Sequence, residues 1–97
     1  MLKDIINTLE SNLIKAGYWD IDNRKWLAYN DAGLFFKTKI DNILKELTLK
    51  YHFKYDITCE KIFDSKACTI YAFSIAIGYP AFRNNVAVVS FLYFASY

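Results

Sequence analysis

The sequence predicts an α+β domain in which two amphipathic helices pack on an antiparallel sheet of about five strands, in the order α-β-β-α-β-β-β. Two segments of the first half place apolar residues at helical spacing, and the chain after residue 51 alternates with a period of two. Arg83 is the only charged residue between Ala67 and Tyr97. With 97 residues, the chain is too short for two cores, so residues 1–97 are expected to form a single domain.

The composition indicates a large core and a mixed surface. Hydrophobic residues make up 55% of the chain and aromatic residues 19%, which excludes disorder because disordered chains are poor in aromatic residues. The formal net charge is +2 with both signs interspersed. A nucleic-acid-binding domain usually has a clustered basic face, so this balance argues against one.

The first helix is predicted over residues 2–16. Its apolar stripe has the spacing of one helix face and consists of Leu2, Ile5, Ile6, Leu9, Leu13 and Ile14. Gly17 follows where a glycine in the left-handed conformation would end the helix.

A short β-hairpin is predicted over residues 18–29. Trp19 and Ile21 alternate with acidic residues, the polar segment 23–25 interrupts the alternation, and a second aromatic run begins at Trp26.

The second helix is predicted over residues 32–49, with Asn30 or Asp31 as its N-cap. Its apolar stripe consists of Phe36, Ile40, Ile43, Leu44, Leu47 and Tyr51. A strand with one dry face follows, because alternate residues are apolar. The apolar set is Phe53, Tyr55, Ile57 and Cys59, and the polar set is His52, Lys54, Asp56, Thr58 and Glu60. The segment Asp64-Ser65-Lys66 predicts the turn that ends it.

Two apolar runs, Cys68–Tyr79 and Val86–Phe94, follow the turn and are separated by a loop with turn signals at 78–80 and 83–85. Neither run has a polar face, so we expect strands buried on both faces. Each run is shorter than the roughly 20 residues of a membrane-spanning helix, and each contains a serine and β-branched residues. Strands are therefore favoured over a membrane hairpin.

The residues that could support catalysis or metal binding are few. His52 is the only histidine and is predicted on the exposed strand face, away from both cysteines. Cys59 and Cys68 are too few for a four-ligand zinc site; free thiols are favoured, and a disulfide across the turn stays open. The segment 20–23 loosely resembles a calcium loop but lacks its glycine and terminal glutamate. We assign no catalytic, cofactor-binding or metal-binding residue.

Six lysines could line a basic surface for nucleic acid: Lys37, Lys39, Lys45, Lys50, Lys54 and Lys61. Acidic residues interrupt the set, as is typical of a solvated face. Nucleic-acid binding is therefore the weaker alternative.

The predicted partner-binding site is the hairpin, because exposed aromatic residues are typical binding anchors. Its residues are Tyr18, Trp19, Asp20, Asp22, Arg24, Trp26 and Tyr29. The alternative is that these aromatics cover the open end of the sheet.

The function expected from these features is a small protein-binding inhibitor and not an enzyme. Two helices on one side cannot cover a sheet that is apolar on both faces, so either the helices divide between the faces or another chain covers one. That chain could be a larger protein or a second copy bound through the C-terminal strands. We favour an immunity protein that occludes the active surface of a bacterial toxin; the alternative is a phage-encoded, anti-CRISPR-like inhibitor of host defence.

The source and compartment are expected from composition. Ten lysines against two arginines indicate an AT-rich bacterial or phage genome. The first residues lack the pattern of a signal peptide, and two cysteines do not form a disulfide framework. A reduced, cytoplasmic setting is expected.

Overall fold

The computed structural model describes residues 2–29, 33–78 and 86–97. The predicted fold class and element order are confirmed. The elements are α1 (Leu2–Lys15), β1 (Trp19–Asp20), β2 (Lys25–Tyr29), α2 (Gly33–Tyr51), β3 (Lys54–Asp64), β4 (Cys68–Gly78) and β5 (Val86–Ser96). The predicted N-cap residues Asn30 and Asp31, and the loop positions 79–80 and 83–85, lie outside the described residues.

The five strands form one sheet in the order β1-β2-β5-β4-β3. Three of the four strand pairs are antiparallel, whereas β2 runs parallel to β5, with Trp26 opposite Tyr93. The sheet is thus mostly antiparallel, as predicted, and departs from the prediction only at the β2–β5 pair among the described strands. The alternation of residues indicates which side chains share a face, but it carries no information on the direction of a neighbour that is distant in sequence.

Gly17 ends α1, as predicted. Its φ of +89° lies in the left-handed region, and its N–H donates to the Ile14 carbonyl at 3.0 Å. The next residue, Tyr18, donates to the Leu13 carbonyl at 3.1 Å. An added Cβ at Gly17 would meet nothing within 4 Å, so the backbone conformation, and not a lack of space, favours glycine here.

His52 lies at the end of α2 and not in a strand, so its predicted strand position is wrong. The helix continues to Tyr51, and His52 has a φ of +51°. Its N–H donates to the Thr48 carbonyl at 3.1 Å, a bond typical of a helix end. Histidine is one of the non-glycine residues that adopt the left-handed conformation more often than most. The side chain is exposed. Alternation begins one residue later, at the buried Phe53.

Both helices pack on the same face of the sheet. α1 contributes Ile5, Leu9 and Leu13 to a single core cluster. The cluster members from α2 are Phe36, Ile40, Ile43, Leu44 and Leu47, and those from β4 and β5 are Phe73, Ile75, Ile77, Tyr93 and Ala95. The sheet members are all odd-numbered, because alternate residues of a strand share a face.

Phe36 lies at the centre of this core. Its ring stacks on Tyr93 with centroids 4.0 Å apart and an interplanar angle of 13°. Phe73 meets the Phe36 ring edge-on at 5.2 Å, and Phe91 does so at 5.9 Å. Such aromatic pairs add about 0.5–1.5 kcal/mol each beyond the burial of their area.

The other face of β4 and β5 is not covered in the described part of the structure. On this face, Val86 is 57% exposed, Val88 63% and Leu92 46%. The expectation of strands buried on both faces is therefore wrong, because both helices lie on one side.

Phe36 and Phe35 provide a matched test of this core, since they are adjacent in α2 but are 0% and 66% exposed. We expect Phe36→Ala to lower the free energy of unfolding by about 3–5 kcal/mol. Phe35→Ala should change it by less than about 0.5 kcal/mol. Denaturant unfolding followed by tryptophan fluorescence measures both; equal losses would contradict the assigned core.

Candidate protein-binding surface

The uncovered side of the central strands forms a continuous surface, which we call the open face. It consists of Ile70, Ala72, Ser74 and Ala76 of β4 and Val86, Val88, Ser90, Leu92 and Phe94 of β5. The register places Ala76 opposite Val88 and Ala72 opposite Leu92, and directly opposite residues of an antiparallel pair share a face. None of the nine side chains is charged.

A row of hydroxyl groups crosses the middle of the open face. Thr58, Ser74 and Ser90 are in register on three adjacent strands. The Ser74 and Ser90 Oγ atoms are 3.0 Å apart and bond to each other. One hydroxyl donates and the other accepts, which leaves one O–H to be satisfied by water or by a partner. Burying that donor without an acceptor would cost about 1–3 kcal/mol.

Charged residues border the open face on both sides. Along β3, Lys54, Asp56 and Glu60 lie opposite Gly78, Ala76 and Ala72. On the opposite side, Lys25 belongs to β2, and its Nζ lies 4.7 Å from the centroid of the Phe94 ring, within the range of a cation–π contact. An apolar centre with a polar rim is the usual anatomy of a protein–protein interface.

Three of the aromatic residues predicted as partner anchors, Tyr18, Trp19 and Trp26, lie on the helix-covered side. Trp19 and Trp26 meet edge-on with centroids 4.8 Å apart, and Trp26 also lies 6.1 Å from Phe91. The Tyr18 ring lies 4.9 Å from Phe36. All three hairpin aromatics are half-buried, so they help to close the end of the core.

The polar residues of the predicted hairpin site belong mainly to the turn. Asp20 Oδ1 accepts the N–H groups of Asp22 at 3.1 Å and Asn23 at 3.2 Å, and Oδ2 accepts the Asn23 amide at 2.8 Å. These hydrogen bonds lower the pKa of Asp20, and the two from Asn23 have the largest effect. Arg24 has a φ of +53° and is exposed, as is Asp22. The Tyr29 side chain lies outside the described residues.

β1 is shorter than the alternation suggested, because it ends at Asp20 and Ile21 lies in the turn, 76% exposed. The Asp20 carboxylate explains this, since it holds the following backbone N–H groups in a turn and not in a strand. Asp20 also pairs with Lys25 across the hairpin, which places it beside the open face.

The two cysteines are free and lie on opposite faces of the sheet, so the disulfide left open by the sequence does not form. Cys59 lies opposite Phe73, whereas a three-residue turn would have placed it opposite Tyr71. The strands turn later, after Asp64, and the register shifts between Lys61 and Phe63. Burial raises the pKa of the Cys59 thiol, and the charge of Lys37 partly opposes this.

No metal site emerges from the described residues, where no group of three His, Cys, Asp or Glu side chains is placed to hold an ion. Of the six lysines considered for nucleic acid, Lys45 pairs with Asp41 at 3.7 Å and Lys61 with Asp64 at 3.6 Å. These are exposed pairs between near neighbours of one element, as expected for a surface of mixed charge.

A groove of about 460 Å³ lies between α2 and β3. Its lining residues are Lys37, Thr38, Asp41, Tyr55, Asp56 and Ile57. The Tyr55 hydroxyl donates to Asp41 Oδ1 at 2.6 Å. Burial, followed by this bond and the charge of Asp41, raises the pKa of Tyr55 to about 12. The sequence does not predict this pair, because its pattern shows Tyr55 only as one member of an apolar strand face.

Comparisons with known proteins identify no relative. The chain matches no protein-family model, and neither the curated proteins nor the solved structures give a significant match. Within residues 2–29, 33–78 and 86–97, neither helix is long and apolar enough to cross a bilayer.

The Tyr55–Asp41 pair predicts a loss of stability at high pH. The folded-state pKa of about 12 exceeds the ordinary value of 10.0, so the stabilisation is complete below pH 10.0 and is lost as the pH rises towards 12. The free energy of unfolding of Tyr55→Phe should fall less over this range than that of the wild type. Denaturant titrations from pH 10.0 to about pH 12 measure the difference; an unchanged slope in Tyr55→Phe would refute it.

Proposed function

We propose that this protein is a small protein-binding inhibitor that covers an apolar surface of a larger protein with its open face. The observation that carries the proposal is the exposure of Val88 and Leu92, 63% and 46%, within a face that has no charged side chain. The largest apolar patch on a soluble monomer covers about 300–600 Å² and is often a functional site.

The dimensions of the sheet fit a protein partner. β4 and β5 have 11 residues each, so a rise of about 3.3 Å per residue and a strand spacing of about 4.8 Å give the two strands roughly 350 Å². A stable interface buries about 800 Å² on each partner. The central strands supply less than half of this area, so the partner must also contact the charged borders along β3 and β2.

The borders and the hydroxyl row define the chemistry of the partner. Its centre is flat and apolar, with a hydrogen-bond acceptor opposite the Ser74–Ser90 pair. Its rim carries charges complementary to Lys54, Asp56 and Glu60 on one side and to Lys25 on the other. Charges of this kind set the orientation and the association rate, whereas the apolar centre supplies most of the affinity.

The version of this function that we favour is an immunity protein that blocks the active surface of a bacterial toxin in the cytoplasm. A phage-encoded inhibitor of a host defence protein is the alternative. The excess of lysine over arginine, ten to two, supports a bacterial or phage source for either version.

Val88→Glu tests the open face, and Leu49→Glu is its matched control. Leu49 is 81% exposed on α2, on the other side of the molecule, so both variants replace an exposed apolar residue by the same acid. To identify the partner, the protein is expressed in its source cells with a photo-crosslinking residue at position 88, and the crosslinked protein is identified. With that partner purified, Leu49→Glu should bind and inhibit like the wild type. Val88→Glu should weaken binding by about 30-fold or more, because it buries an unpaired charge at the interface centre.

Three results would contradict the proposal. One is equal binding by Val88→Glu and Leu49→Glu. Another is a crosslink from position 88 that joins only two copies of this chain. The third is a partner that binds but keeps its full activity in the complex, which would refute inhibition.

The hairpin remains a second proposed contact, and Trp19 is the residue that tests it. Trp26 is a poorer choice because it packs near Phe36 and Phe91, so its removal would also disturb the core. We expect Trp19→Ala to weaken the complex by about tenfold if the hairpin contacts the partner. Calorimetric titration of the purified partner measures this, and an unchanged affinity would exclude Trp19 from the site.

A further inference from the structure

We propose that the protein forms a two-fold symmetric dimer in which the β3 strands of two copies pair antiparallel and join the two sheets into one. Among the described residues, β3 has a neighbour on one side only, β4. It is an 11-residue edge, whereas the opposite edge strand, β1, has two residues. A long edge strand presents a row of backbone N–H and C=O groups that can pair with another chain.

The first part of β3 lacks the features that usually protect an edge. From Lys54 to Lys61 the strand follows β4 without a break in register, and the irregularity comes only between Lys61 and Phe63. The one proline of the chain is at position 80. Only the charged side chains remain as protection, and their order along the strand determines how a second copy can pair.

The charges of β3 match when the strand pairs with itself about Ile57. A two-fold axis perpendicular to the sheet places the helices of both copies on the same side of the joined sheet. In such a pairing the axis passes through one residue position, and that residue lies opposite its own counterpart in the second copy. Centring on Ile57 places Lys54 opposite Glu60 of the second copy and Asp56 opposite Thr58. Symmetry makes the Lys54–Glu60 pair occur twice.

The neighbouring registers bring like charges together. A register centred on Thr58 places Asp56 opposite Glu60 of the second copy. A register centred on Asp56 places this residue opposite Asp56 of the second copy. Opposite charges across a strand pair are stabilising and directly opposed like charges are destabilising. Of these three registers, the charge order of this edge therefore favours the one centred on Ile57.

The surroundings of the edge fit an added strand. The groove between α2 and β3 runs beside it and is lined by Tyr55 and Ile57, both half-buried in the single chain. In this register Cys59 of the second copy lies opposite Tyr55 on the helix-covered side. The dimer has ten strands, all four helices on one face and both open faces on the other.

Charge reversal tests the register. Lys54→Glu and Glu60→Lys each turn both attractive pairs into repulsive ones, so each should raise the dimer dissociation constant about tenfold or more. The double variant Lys54→Glu/Glu60→Lys should restore the wild-type constant to within about threefold. Sedimentation at low salt over a concentration series measures all three.

Lys3→Glu and Glu10→Lys are the matched controls, because they make the same changes of net charge on exposed positions of α1. They should leave the constant unchanged. A wild-type protein that is monomeric up to its solubility limit overturns the proposal. So does a dimer in which the single reversals have no effect, or one that the double variant fails to restore. The dimer depends on the β3 edge, so its failure would leave the proposed use of the open face untouched.

Discussion

The stacked contact between Phe36 and Tyr93, at 4.0 Å, is the interaction on which the rest of the structure depends. Tyr93 belongs to the odd-numbered residues of β5, and Phe73, which meets the same Phe36 ring, belongs to those of β4. Once α2 packs on this set, the even-numbered residues of both strands must lie on the other side of the sheet. α1 packs beside α2 on the same core, so the described part of the chain has no helix left for the second face. The exposure of Val88 and Leu92 follows from this placement.

Much of this fold could be predicted because its elements have strong local patterns. The apolar stripes of α1 and α2 predict the helices, Gly17 ends the first, and the alternation over residues 53–59 identifies the side of that segment that packs on the core. The errors occur where distant contacts decide. The parallel pairing of β2 with β5 joins segments more than sixty residues apart. His52 is wrongly predicted in a strand because it directly precedes the alternating segment.

The candidate surface was harder to predict from the sequence. Strands that are apolar on both sides fit a sheet with both faces covered by helices, and they also fit a sheet with only one face covered. Only the position of both helices on one face decides between these, and helix periodicity does not specify which face a helix covers. The tryptophans illustrate the same limit. Trp19 and Trp26 are of a residue type common in binding sites, which is why the sequence predicts a site there. In the structure they contact each other, and Trp26 also approaches Phe91. The uncharged even positions of β4 and β5 were visible in the sequence, but they were assigned to a buried sheet.

The open face and the β3 edge are connected through shared residues. Lys54, Asp56 and Glu60 lie on the same side of the sheet as Val88 and Leu92, so they border the open face and also determine how two edges can pair. In the proposed dimer these charges move from the border of one small surface to the middle of a surface twice as wide. A partner that contacts the β3 border would then bind monomer and dimer with different affinities. By linkage, each bound partner would change the dimer dissociation constant by the ratio of these two affinities, whereas a partner confined to the β2 side would leave dimerisation unchanged.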